Sequence, residues 1–181
     1  MKKASQKEQL FNLVKAAIFA ALIAVMTAFL KINTGINNGY LHFGDSLIYL
    51  AACILPMPYA MGSAAIGGAL ADILAGSPMW APFTAVIKAV NVIPFALVYI
   101  CKWTKSPNKI INKTTAFMPF VSALVTIFGY LLTEGLLYTF PTAWTSVPFS
   151  IIQAVASAVV YYAMGAALDK INFKTKIAKI G

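Results

Sequence analysis

Lys88 is flanked at helical spacing by Thr84 and Asn91, and Glu134 by Tyr130 and Tyr138. At i, i+4, i+7 and i, i+4, i+8, each trio shares one helix face. A cation, a carboxylate, an amide and phenols at one depth would hydrogen-bond and stack against a small polar aromatic molecule. Asp45, Asp72 and Gln153 add polar groups near the same level. Asn38, Tyr40 and His42 lie in a polar stretch just before Asp45. A second reading stays open: Lys88 and Glu134 pair with each other or with Asp72 and simply hold helices together. Asp72 reads as more structural than ligand-binding, beside Gly76. His42 reads either as a loop-fixing residue or as a ligand contact, and Trp144 either as an interfacial aromatic or as a lid over a pocket.

Catalytic constellations are missing. There is no Gly-x4-Gly-Lys-Ser/Thr loop, no His-Glu-x2-His and no Cys/His cluster, and His42 is the single histidine. Cys53 and Cys101 both lie in apolar runs, too few for a metal site or disulfide framework. Neither enzyme activity, nor a cofactor, nor a metal is expected.

The elements that must position these groups belong to a membrane. The chain of 181 residues is 60% hydrophobic and only 10% charged, against about 25% charged residues in soluble domains. Its net charge of +9 comes from 14 basic residues, all lysine. Most fall in three clusters at the edges of apolar runs: Lys2, Lys3, Lys7 and Lys15; Lys102, Lys105, Lys109 and Lys113; Lys170, Lys174, Lys176 and Lys179. That is the pattern of cytoplasmic edges rather than of a nucleic-acid surface.

Six apolar segments can be drawn, at about 10–31, 43–55, 58–75, 81–102, 116–140 and 147–168. With six spans all three lysine clusters fall on one side; with five, two of the three do not. The expected fold is an all-α integral membrane protein, residues 1–181 forming one compact six-helix domain with both termini cytoplasmic. The run from Leu10 to Leu30 reads as a retained first helix rather than a cleaved signal. Loops 32–42, 76–80 and 141–146 then face outward. Lys88, Glu134, Asp72, Asp45 and Gln153 converge on the outer third of the bundle. The first helix also carries Ala16, Ala20, Ala24 and Ala28 at every fourth position. Such a stripe lets another helix approach closely, either a partner or a neighbour within the chain.

Three segments carry a resemblance: Gly39-Tyr40-Leu41-His42-Phe43-Gly44-Asp45, Gly67-Gly68-Ala69-Leu70-Ala71-Asp72, and Trp80-Ala81-Pro82-Phe83-Thr84-Ala85-Val86-Ile87-Lys88. Together with six helices and basic cytoplasmic edges, they resemble the S component of an energy-coupling factor (ECF) transporter. The similarity is to the riboflavin-type branch, which includes hydroxymethylpyrimidine and pyridoxine carriers. Where that branch commonly has Gly-hydrophobic-Glu after the lysine, Ala89-Val90-Asn91 stands here.

The resemblance implies capture of a vitamin or precursor at the outer face, the 32–42 loop closing over it. The ligand would be a small heteroaromatic such as pyridoxine or hydroxymethylpyrimidine, with riboflavin as a further candidate. Delivery inward would need a membrane coupling subunit and two ATPases, docked through Ala16, Ala20 and Ala24. The implied contacts are Lys88, Glu134, Asn91, Thr84, Tyr130, Tyr138, Gln153, Trp144, Asn38, Tyr40, His42 and Asp45. A stand-alone proton-coupled carrier using Asp72, Lys88 or Glu134 is the alternative.

Overall fold

The computed structural model describes residues 5–33 and 40–178. Its elements run α1 (Gln6–Phe29), β1 (Lys31–Asn33), β2 (Tyr40–His42), α2 (Asp45–Ile54), α3 (Met57–Leu74), a 3-10 turn (Pro78–Trp80), α4 (Ala81–Asn91), α5 (Ile93–Ile100), α6 (Met118–Leu137), α7 (Phe140–Lys170) and α8 (Phe173–Ala178). Four stretches are long and apolar enough to cross a membrane: Gln6–Phe29, Pro78–Ile100, Met118–Leu137 and Phe140–Lys170. Helix α2, at 10 residues, is shorter than the ~20 needed to span directly. Helix α3 has 18 residues, diluted by Gly, Ser and Asp.

The structure corrects three expectations. The segment read as an external loop from 32 to 42 holds a small antiparallel hairpin, with Lys31 opposite His42 and Asn33 opposite Tyr40. The fold is therefore mostly, not wholly, α. The segment drawn as one helix over 81–102 is interrupted at Val92. Pro94 has no N–H to give Val90, and its ring crowds that carbonyl. The chain tightens there: Val92 N–H reaches Ala89 O at 3.2 Å, a three-residue closure. Finally, residues 141–146 are helical. Thr139 caps α7, and Pro141 sits in the first turn, where a missing N–H does no harm.

Helix α2 is the axis of the bundle. Every residue from Asp45 to Cys53 is buried, so its side chains meet neighbours on all sides. Tyr49 stacks on Phe95 with centroids 4.9 Å apart and meets Tyr161 edge-on at 5.8 Å. Helices α2 and α7 lie in a constant register. Gln153 Nε2 donates to Asp45 Oδ2 at 3.4 Å, and two turns further on Cys53 Sγ lies 3.6 Å from the Tyr161 hydroxyl. The outward faces carry Leu13, Ile18, Val25, Leu124, Phe128 and Val159, all exposed, as a lipid-facing surface requires.

The alanine stripe on α1 turns inward. Ala16, Ala20 and Ala24 are 8%, 7% and 4% exposed. Helix α3 is what they approach: a Cβ on Gly67 would lie 2.7 Å from the Ala20 carbonyl oxygen and 2.9 Å from Ile23 Cβ. In this arrangement the three alanines pack within the chain. Ala17 and Ala21, beside them on α1, are exposed.

At the other end of the bundle, the connection between α5 and α6 is tied to α7. The Asp169 carboxylate accepts from the backbone N–H groups of Ile110 and Ile111 at 2.7 and 2.9 Å. Tyr162 donates to the Ala116 carbonyl at 2.6 Å.

Candidate ligand pocket

The polar groups gathered at one end of the bundle sort into two tiers. The inner tier begins with Asp45, the first residue of α2, and Lys88, in the last turn of α4. Lys88 Nζ donates to Asp45 Oδ1 at 2.6 Å, with 1% and 0% of the two side chains exposed. Neither charge could stay ionised alone at that depth, so each is the condition of the other. Gln153 donates to the second Asp45 oxygen, and Lys88 Nζ lies 5.2 Å from the Tyr130 ring centroid. Asn91, one turn beyond Lys88, donates its Nδ2 to Thr126 Oγ1 at 2.8 Å, and its backbone carbonyl accepts from Ser122 Oγ at 3.0 Å.

The outer tier lines a pocket of about 630 Å³, its open mouth included. Helix α1 contributes Thr27, and β2 contributes Tyr40, Leu41 and His42. The end of α3 and the turn after it contribute Asp72 and Trp80. Gly76, at φ 83°, makes that turn possible. Its N–H returns to Ile73 O and that of Ser77 to Asp72 O, closing α3 so that the chain doubles back toward Trp80. Helices α4 and α6 contribute Thr84, Tyr130 and Glu134. Helix α7 contributes Ser146, Phe149, Ser150 and Gln153, a single face at i, i+3, i+4, i+7.

Hydrogen bonds pin this lining. Tyr40 donates to Asp72 Oδ1 at 2.5 Å, and Ser146 Oγ to Glu134 Oε2 at 2.5 Å. The Thr84 and Tyr130 hydroxyls lie 3.3 Å apart. Trp80 faces Tyr130 and Tyr138 at 6.1 and 6.2 Å between centroids, forming an aromatic wall. His42 Nδ1 accepts from Gly44 N–H at 3.1 Å. Burial, with the Lys88 charge acting in the same direction, lowers the His42 pKa to about 3 against the pull of Asp45. His42 is thus neutral, with its proton on Nε2. Burial and the Asp72 carboxylate push the Tyr40 phenol up, so it stays a donor.

Six residues named from sequence meet at this pocket: Glu134, Thr84, Tyr130, Gln153, Tyr40 and His42. Lys88, Asp45 and Asn91 do not line it; they form the polar floor behind it. The pairing of Lys88 with Glu134 is replaced by one with Asp45. Tyr138 stands behind Trp80 as part of the wall. Trp144 is 61% exposed and outside the lining. Asn38 lies outside the described residues. Sequence reasoning left out Trp80, Ser146, Phe149 and Ser150, although the spacing of the last three with Gln153 carries a helical signal. Asp72, read as structural, lines the pocket. Among the described residues, no group of His, Cys, Asp and Glu is arranged to hold a metal ion.

Comparison with known proteins adds two findings. Residues 7–170 match the family model described as "ECF-type riboflavin transporter, S component". A protein of Pyrococcus woesei, described as an uncharacterized protein in a gap 3' region, is 29% identical over 148 residues, covering 82% of this chain and 95% of that protein.

Proposed function

This chain belongs to the ECF-type riboflavin transporter S component family, and we propose from that premise that its pocket captures one small heteroaromatic vitamin or precursor at the outer membrane face. Members of the family are substrate-binding components of vitamin transporters, working with a membrane T component and ATPases. The observation that carries the reading is the outer tier itself. It is a concave, part-open site with aromatic walls and fixed polar groups at its edges, over a floor neutralised by the Lys88–Asp45 pair.

Such a site binds a flat ring by stacking and orients it by hydrogen bonds at its rim. Pyridoxine and hydroxymethylpyrimidine are the leading candidates, and riboflavin is the larger one. A single domain of six spans, with α2 and α3 as the two short ones and both termini cytoplasmic, puts the pocket outside and the lysine clusters inside. Release inward then requires an ATP-driven coupling module. Native mass spectrometry of the purified protein is the test: a co-purified vitamin, lost when Thr84 and Gln153 are replaced, is expected. A protein that carries no small molecule, and binds none from a vitamin panel, would refute the reading.

A further inference from the structure

The charge of the ligand is written into the lining. Among the described residues, two carboxylates face the pocket, Asp72 and Glu134, and no lysine lines it. The nearby cations are both engaged elsewhere. Lys88 is held by Asp45 behind the wall, and Lys31 donates to the Ala75 carbonyl at 3.0 Å while lying over the Tyr40 ring. His42 adds a neutral donor.

Asp72 is the sharper of the two acids. It is 4% exposed, and its Oδ1 accepts a hydrogen bond from the Tyr40 hydroxyl. Its Oδ2 is buried and makes no hydrogen bond of standard geometry, although the Thr84 hydroxyl lies close to the carboxylate. Trp80 Nε1, on the next turn of chain, is likewise buried without a partner. A buried acceptor left alone keeps the cost of its lost hydration, and more so if it is charged. A lining that leaves one acceptor and one donor so placed is complete only when a guest supplies the matching groups.

We propose that the pocket selects a cationic or donor-rich heteroaromatic ligand, one that places an amino or ring N–H group on Asp72 Oδ2 and an acceptor on Trp80 Nε1, and that it rejects carboxylated and phosphorylated analogues. An anionic group here would face two carboxylates in a low-dielectric wall with no cation to receive it. The ring stacks between Trp80, Tyr130 and Phe149. This inference rests on the capture reading above and narrows it.

The test compares ligand pairs that share a ring and differ in charge, by calorimetry on the full-length protein in detergent: pyridoxamine against 4-pyridoxate, aminohydroxymethylpyrimidine against its phosphate, riboflavin against its phosphate. In whichever pair binds, the member without the anionic group is expected to bind at least about tenfold more tightly, the worth of one charge-assisted contact. Asp72→Asn keeps the acceptor for Tyr40 and should shrink that ratio about tenfold; Glu134→Gln gives the same readout if the first variant fails to fold. Tighter binding of the anionic member, or an unchanged ratio in folded variants, overturns charge selection while leaving vitamin capture standing. Binding of no member of any pair, with no vitamin seen by mass spectrometry, takes both down.

Discussion

Lys88 and Asp45 are partners across 43 residues of chain, joined at 2.6 Å and shut away from solvent. The pair couples the start of α2 to the end of α4 and forms the floor of the pocket. Removing one member leaves the other charge buried and unpaired. Lys88→Ala is therefore expected to destabilise the fold by ~3–5 kcal/mol. The double variant Lys88→Met, Asp45→Leu should cost much less than the sum of the singles. Thermal unfolding in detergent checks this; equal melting of single and double variants would dissolve the pairing argument.

The α1–α3 contact leaves no room for a larger side chain. Gly67→Ala would push a methyl to 2.7 Å from the Ala20 carbonyl, and overpacking of this kind costs ~1–3 kcal/mol. Ala20→Leu should do the same from the other side. Both variants are expected to melt earlier, with or without a coupling partner present. An Ala20→Leu protein of unchanged stability that fails only in transport would restore the stripe as a docking face.

His42 gives the protein a pH dependence of known sign. Its folded pKa is lowered to about 3 from 6.5, so between those values the unfolded chain binds a proton that the folded chain does not. Stability then rises with pH from about 3 to about 6.5 and this contribution is flat above. Unfolding measured across that window should show the slope, and His42→Gln should flatten it.

Lys174 behaves likewise at the alkaline end. Burial lowers its pKa to about 8 from 10.5, with Asp169 opposing, and its ammonium sits 3.7 Å from the Tyr99 ring centroid. The folded state sheds this proton first, so stability gains with pH between about 8 and 10.5. Lys174→Met should remove that gain, as read from melting curves at several pH values.

The sequence made the outer tier legible where one helix held the whole pattern. Thr84 and Lys88 on α4, and Tyr130 and Glu134 on α6, share faces at helical spacing, and the structure puts Thr84, Tyr130 and Glu134 in the lining. It did not reveal which way each long side chain turns. Lys88 chose Asp45 over Glu134 because α2 passes through the centre of the bundle, a fact no local pattern contains. Trp80 was hidden by the same ambiguity: an indole near a membrane boundary reads as an interfacial anchor until Gly76 and the 3-10 turn fold it inward. The hairpin escaped because three-residue strands have too little periodicity to register. The start of α7 escaped because Pro141 and its neighbours read as loop, although that proline belongs to a capped helix start.

Helix α7 links two places well separated along its length. Gln153 borders the pocket, and Asp169 grips the backbone of Ile110 and Ile111. Sixteen residues separate them on a helix with no proline in between, a rod of ~24 Å at ~1.5 Å per residue. Such a rod sets a fixed spacing between the pocket wall and the lysine-bearing 101–117 segment, because both are held by one continuous helix.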